Sequence, residues 1–271
     1  AQSCEATGLP LATDFEVLPL PTLENTTLAV TSVCFRENTA LDFSGSDLPD
    51  GSYEITYELS DANTFTETVS TIFTGGEASI ILDAANLTAT GSTTVTVTSI
   101  TNESTACVST VATSTTFDVN PIPDAETLSV SINDTCEDDV VSVNITDTAE
   151  TPNLVDGTYD FTYDISGAIT VTDQIASSVT ITDGSGSFDL PQDILANGSS
   201  TLTLTSVSNS TSTCEADNLT MPAASFNIVP TPDATNAVLA VADTCEDGGA
   251  SVTFTADASL ILDGDYTLTY T

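Results

Sequence analysis

A seven-residue phrase ending in Pro-x-Pro occurs three times, as Phe15-Glu-Val-Leu-Pro-Leu-Pro21, Phe117-Asp-Val-Asn-Pro-Ile-Pro123 and Phe226-Asn-Ile-Val-Pro-Thr-Pro232. Pro19 to Pro121 is 102 residues and Pro121 to Pro230 is 109, the size of a small β-domain and far longer than a solenoid turn. Other landmarks keep the same beat. Asp50-Gly51-Ser-Tyr53-Glu-Ile-Thr-Tyr57 returns as Asp156-Gly157-Thr-Tyr159-Asp-Phe-Thr-Tyr163 and as Asp263-Gly264-Asp-Tyr266-Thr-Leu-Thr-Tyr270, and Thr94-Val-Thr-Val-Thr-Ser-Ile100 returns as Thr201-Leu-Thr-Leu-Thr-Ser-Val207. The chain is an array. In this register it holds two whole repeats, 22–120 and 124–229, flanked by the C-terminal end of a preceding repeat, 1–17, and the N-terminal part of a following one, 233–271. A sandwich cut in half would expose an apolar edge, so the pattern implies a natural polypeptide longer at both ends.

The segments between turns alternate strictly. In Thr94-Val95-Thr96-Val97-Thr98 and Thr201-Leu202-Thr203-Leu204-Thr205 the aliphatic residues face one way and the threonines the other, the period of a half-buried strand. Tyr53, Ile55 and Tyr57 share a face, as do Tyr159, Phe161 and Tyr163, and Tyr266, Leu268 and Tyr270; all nine are expected in a core. Asp-Gly and Gly-Gly turn signals recur at short intervals, and no long apolar helical stripe exists. About seven short strands per repeat predicts an all-β fold of tandem immunoglobulin-like β-sandwiches arranged end to end. In the second repeat the expected strands are A at 126–132, B at 139–146, C at 158–165, two or three through 169–189, F at 200–207 and G at 223–229. Single helical turns are expected at 83–87 and 191–195. Paired tyrosines stand where immunoglobulin domains carry a strand-C Trp, and their hydroxyls require partners if buried.

Forty acidic residues against one basic residue, Arg36, give a net charge of −39. Such a chain repels nucleic acid and anionic membrane surfaces, and it has no membrane-spanning run. With 40% hydrophobic and only 15% charged residues it is nonetheless not a disordered acidic tail. It lacks His, Lys and Trp, and with them the usual neutral-pH base, amine nucleophiles and preferred stacking platform.

Two cysteines per repeat in a chain without Lys indicate an oxidising, extracellular compartment. No Cys-x-x-Cys pair is present to hold zinc. Analogy with immunoglobulin domains gives intra-domain pairs, Cys34–Cys107 and Cys136–Cys214. Strand order argues for another scheme. Cys34 and Cys136 precede strand B while Cys107 and Cys214 follow strand F, so each pair lies at opposite poles, about 23 Å apart for seven residues of strand, where a disulfide needs Cα atoms within about 7 Å. A staggered inter-domain bond from the A–B turn of one unit to the F–G turn of the next, Cys34–Cys214, is then within reach. Cys4 and Cys107 would pair with units before this chain, and Cys136 and Cys245 with units beyond it. Both schemes remain open at this point.

Cys136-Glu137-Asp138-Asp139 and Cys245-Glu246-Asp247 put carboxylates at a pole, which makes them calcium candidates, although the first repeat reads Cys34-Phe-Arg-Glu37 instead and no Asp-x-Asp-x-Asp-Gly loop occurs. No other cofactor is expected. Eight Asn-x-Ser/Thr sequons, at Asn25, Asn86, Asn102, Asn133, Asn144, Asn197, Asn209 and Asn218, permit glycosylation. Catalysis could draw only on carboxylate pairs, nothing marks one pair out, and the reading is not an enzyme.

Leu128-Ser-Val-Ser-Ile-Asn-Asp-Thr-Cys136, the run from Gly91 to Cys107 and the closing Pro-x-Pro phrase together resemble the tandem repeats of giant Bacteroidota cell-surface adhesins of the SprB gliding type. The chain lacks that family's Gly-Gly-x-x-Pro-Tyr-x-Tyr-x-Trp phrase. The resemblance implies type IX secretion and display as long filaments used for attachment and gliding motility, this chain being stalk. Its partners would be neighbouring repeats of the same chain, with an extracellular surface or polysaccharide gripped by regions outside this segment. Two other readings fit parts of the sequence: an N-glycosylated archaeal-type surface thread or sheath, and a carbohydrate-binding immunoglobulin-like module, which calls for clustered exposed aromatics.

Overall fold

A computed structural model describes residues 14–257 together with 261, 264, 266, 267 and 269. The chain divides into two compact units between Ile122 and Pro123. Unit 1 carries β1 (Thr27–Val30), β2 (Val33–Cys34), β3 (Thr39–Ser44), β4 (Gly51–Asp61), β5 (Phe65–Phe73), β6 (Ala78–Leu82), β7 (Gly91–Asn102) and β8 (Cys107–Asn120). They form a three-stranded sheet, β1-β3-β6, and a five-stranded sheet, β2-β8-β7-β4-β5. Unit 2 repeats the plan with β9 (Leu128–Ile132), β10 (Thr135–Cys136), β11 (Ser142–Asp147), β12 (Gly157–Gly167), β13 (Val171–Ile181), β14 (Ser185–Asp189), β15 (Gly198–Asn209) and β16 (Ala223–Val229). Its sheets run β9-β11-β14 and β10-β16-β15-β12-β13. Each unit is an immunoglobulin-like sandwich, and all pairings are antiparallel except the short β2–β8 and β10–β16 contacts.

The alternation in the sequence becomes the division between core and surface. Tyr53, Ile55, Tyr57, Val95 and Val97 are buried in unit 1, and Tyr159, Phe161, Tyr163, Leu202 and Leu204 in unit 2, with the intervening threonines outward. Burying such a side chain contributes about 1.5–3 kcal/mol. Three of the buried tyrosines find partners for their hydroxyls: Tyr53 donates to the Pro49 carbonyl at 3.0 Å, Tyr159 to the Val155 carbonyl at 2.8 Å and Tyr57 to Glu67 at 2.7 Å. Burial first, and then the Glu67 carboxylate, raise the Tyr57 phenol above its ordinary value.

The expected helical turns are 3-10 turns at Ala84–Asn86 and Gln192–Ile194. The hairpin turns at Gly75-Gly76 and Asp183-Gly184 have positive φ at both central residues, the geometry that matches strand twist in a two-residue loop. A Cβ on Gly76 would lie 2.5 Å from the Ser46 carbonyl oxygen.

In residues 233–271 one expectation fails, the burial of Tyr266. Their described strands are β17 (Val238–Val241) and β18 (Val252–Thr255), paired only with each other. Tyr266 is 48% exposed rather than in a core, while Leu268 and Tyr270 lie outside the described residues. A two-stranded hairpin has one apolar face and no second layer to bury it, so Val238, Val241 and Val252 are exposed as well.

Candidate functional site: the cysteine poles

Cysteine placement within each unit follows from the ladder. Cys34 sits opposite Asn120, the last residue of β8, and the Phe35 N–H donates to the Asn120 carbonyl at 2.8 Å. Cys107 is the first residue of that same 14-residue strand. At ~3.3 Å per residue the two lie about 40 Å apart. In unit 2, Cys136 pairs with Val229, next to the Ile228 that faces Gly198, the first residue of β15. Cys214 accepts the N–H of Asn209, the last residue of β15, at 2.9 Å; twelve residues of strand separate the poles by about 36 Å. Both intra-domain pairings therefore fail on distance. Cys107 and Cys136 carry free thiols, as does Cys245, whereas Cys34 and Cys214 are each disulfide-bonded. Cys4 lies outside the described residues.

Each pole is built by a repeated turn. Arg36, Asp138 and Asp247, two residues after Cys34, Cys136 and Cys245, have φ of 70°, 69° and 69°. The N–H groups of Glu37, Asp139 and Gly248 close these turns onto the carbonyls of Cys34, Cys136 and Cys245 at 3.1, 3.2 and 2.9 Å. A left-handed third residue is the requirement of such a turn, and Asp tolerates that region better than most side chains. Asp138 and Asp247 thus have a backbone reason to be there. Glu137, Asp138, Asp139, Glu246 and Asp247 are all exposed, and among the described residues no three His, Cys, Asp or Glu side chains converge as a metal set. Glu137 accepts from the Thr231 N–H at 3.3 Å, and the Asp139 carbonyl accepts from Gln192 at 2.7 Å.

The opposite pole also repeats. The Asn102 side-chain oxygen accepts the N–H groups of Ser104 and Thr105 at 3.0 and 3.2 Å, and Asn209 accepts those of Thr211 and Ser212 at 3.0 Å each. Left-handed Ala106 and Thr213 then lead into Cys107 and Cys214. Two of the eight sequons are thus Asx turns that shape the cysteine loops. A third, Asn218, donates to Asp124 at 2.7 Å and accepts the Ala125 N–H at 2.9 Å. Asn133, Asn144 and Asn197 are exposed.

Sequence reasoning missed Asp147. This carboxylate, 7% exposed, accepts from the Thr127 hydroxyl at 2.6 Å and from the N–H groups of Ala149, Asn153 and Leu154 at 3.0, 2.6 and 2.9 Å. Burial pushes its pKa up, but the hydroxyl and the three amides together outweigh that and hold it below its ordinary value. It fastens the start of β9 to the loop before β12. The signal available in the sequence was a lone Asp at the end of an alternating strand.

The Tyr side chains of β4 and β12 point inward, and the exposed aromatics among the described residues are Phe15 and Tyr266, each in a different unit. They form no cluster on one sheet. No described helix is long and apolar enough to cross a membrane.

Against known proteins, no family model matches the sequence, and no curated protein matches it. The fold is similar to solved structures at low identity. The chicken CNTN1 FN1–FN3 domains match at 12% identity and a TM-score of 0.43, over 73% of this chain and 65% of that one. A marsupial T cell receptor matches at 9% and 0.41, over 85% and 80%. Invasin, a bacterial integrin-binding protein, matches at 18% and 0.28, over 84% of this chain and 45% of its own.

Proposed function

We propose that the chain is a structural stalk segment of a long extracellular surface adhesin, its units joined by a staggered disulfide from Cys34 to Cys214. The observation that carries this reading is the division among the cysteines: Cys34 and Cys214 are bonded, while the intra-domain partners of both are free and a strand's length away. Chain connectivity supports it. Asn120, beside Cys34, is five residues from Ala125, which is held by Asn218, four residues past Cys214. Five residues span at most about 17 Å. Cys136 and Cys107 occupy the same turns in their own units as Cys34 and Cys214 do, so each would serve the next joint along the array.

The surface fits a spacer. It is threonine-rich, strongly acidic and, among the described residues, without an aromatic platform, which suits reach and solubility rather than ligand capture. The resemblance of the repeats to gliding adhesins supports type IX secretion and a role in attachment and gliding, with the gripping surface elsewhere in the polypeptide.

Peptide mapping without reduction tests the joint. The absence of Lys makes trypsin unsuitable, so the digest uses a protease specific for acidic residues. A Cys34 peptide linked to a Cys214 peptide, separating on reduction, is the expected result. A Cys34–Cys107 or Cys136–Cys214 peptide would overturn the reading.

A further inference from the structure

The two parallel pairings fall at the same place in both sandwiches. Val33 and Cys34 of β2 run alongside Val119 and Asn120, the last residues of β8, and Thr135 and Cys136 of β10 run alongside Ile228 and Val229, the last residues of β16. In each, the N–H of the residue after the cysteine donates to the carbonyl of the strand's last residue, Phe35 to Asn120 at 2.8 Å and Glu137 to Val229 at 2.7 Å. Two residues before each cysteine, a side-chain oxygen reaches to the same strand. The Ser32 hydroxyl accepts the Asp118 N–H at 3.0 Å, and the Asp134 carboxylate accepts the Asn227 N–H at 2.8 Å. Ser32 and Asp134 differ as residues and make the same bond, and Asp243 stands two before Cys245 in turn.

Where the chain enters and leaves gives this brace its mechanical meaning. In unit 1 the entering residues Leu20, Pro21 and Thr22 line one groove with Asn102 and Ser104, the loop that leads into β8, whereas the chain leaves after Asn120, at the other end of that strand. In unit 2 Ala125 is tied to Asn218, in the loop after Cys214, and the chain leaves after Val229. Each sandwich is therefore entered at one pole and left at the other. Tension on the chain draws β2 towards the entry pole through β1, and draws the end of β8 towards the exit pole; β9, β10 and β16 stand in the same relation. Parallel strands drawn in opposite directions along their axes must slide, which strains the hydrogen bonds between them all at once. A hairpin pulled from its two adjacent ends opens one bond at a time instead.

We propose that these parallel pairs are force clamps, and that the brace formed by Ser32 and the Phe35 N–H in unit 1, and by Asp134 and the Glu137 N–H in unit 2, sets the tension at which each sandwich opens. The use of such a clamp rests on the stalk reading. Its existence does not depend on the disulfide joint.

Pulling the reduced full chain from its termini at constant force tests it, because reduction puts both sandwiches under load whether or not Cys34 and Cys214 were joined. Forced opening is governed by the unfolding rate. Ser32→Ala with Asp134→Ala should make both opening steps about 10-fold faster at a given force, the consequence of losing one hydrogen bond from each clamp. The control is Thr56→Val with Asp160→Ala, which removes one bond from each unit away from the sliding strands: Thr56 bonds the Thr68 hydroxyl at 2.9 Å, and Asp160 accepts the Ser178 N–H at 2.7 Å. Urea imposes no direction, so the control pair should lower the urea midpoint about as far as the brace pair does, yet leave both forced steps at the wild-type rate. Brace substitutions that leave the forced steps unchanged overturn the proposal. So do control substitutions that speed those steps equally.

Discussion

Replacing Phe161 with alanine is expected to lower the melting temperature of unit 2 by about 20 °C and to leave unit 1 where it was. Phe161 is fully buried at the centre of β12, between Val207 of β15 and Ala176 of β13, with its ring stacked on Phe188 at 6.5 Å. Truncation removes that contact area and leaves a void that a packed sandwich fills only in part, at a cost of about 4 kcal/mol. Against a domain stability of roughly 5–15 kcal/mol that is a large fraction. The core around Phe161 runs from Ala125 to Ile228, and the other core from Leu23 to Val119, with no residue in common. Hydrogen exchange read by mass spectrometry separates the two units. Peptides from 128–229 should lose protection while those from 27–120 keep it. Equal loss in both would mean the repeats do not fold as separate cores.

Asp147→Ala is expected to destabilise unit 2 by about 3 kcal/mol, since it strands the buried Leu154 amide together with two other N–H groups and a hydroxyl. The effect depends on pH, with a sign fixed by the direction of the shift. The folded-state pKa lies below the ordinary value of 3.8. Its contribution is therefore complete above that value and is lost as pH falls through the folded pKa. Urea unfolding should show the full difference between wild type and variant at pH 7, and a difference that shrinks as the pH falls below the ordinary carboxyl value of 3.8. Unit 1 provides the control. At the matching corner Ser46 donates its N–H to the Gly76 carbonyl at 3.0 Å, as Asp147 does to Gly184 at 2.7 Å, but its hydroxyl accepts only the Leu48 N–H. Unit 2 should thus be the more acid-sensitive. Asp160 adds to this in the same direction, because Ser210 and the Ser178 N–H hold its carboxyl low.

Much of this architecture was legible in the residues. Alternation at Thr94–Thr98 and Thr201–Thr205 gave the inward faces, Gly75-Gly76 and Asp183-Gly184 gave hairpin turns, and the polar cysteine loops gave the two poles. Strand ends were less legible. The F strand of unit 2 reads as 200–207 but runs from Gly198 to Asn209, because its flanks are Ser, Gly and Asn, which carry no apolar period. The poles are consequently farther apart than a seven-residue strand implies, which strengthens the case against pairing within a unit. The carboxylates after Cys136 and Cys245 suggested calcium. Two of them, Asp138 and Asp247, share with Arg36 a left-handed backbone, and a φ angle leaves only a faint trace in composition. The full length of β8 was illegible for a related reason: from 109 to 116 the residues are Ser, Thr and Ala with one aliphatic, Val111, and only the ladder to β7 decides.

The central claim, that these sandwiches are held in series as a covalently closed stalk, is tested most directly by pulling single molecules from their termini. With Cys34 bonded to Cys214, the roughly 180 residues between them are outside the load path, and the oxidised chain should lengthen only through the segments flanking that loop. Reduction should release about 600 Å more, in two steps, one for each sandwich. The same two steps at full length in unreduced molecules would contradict the account.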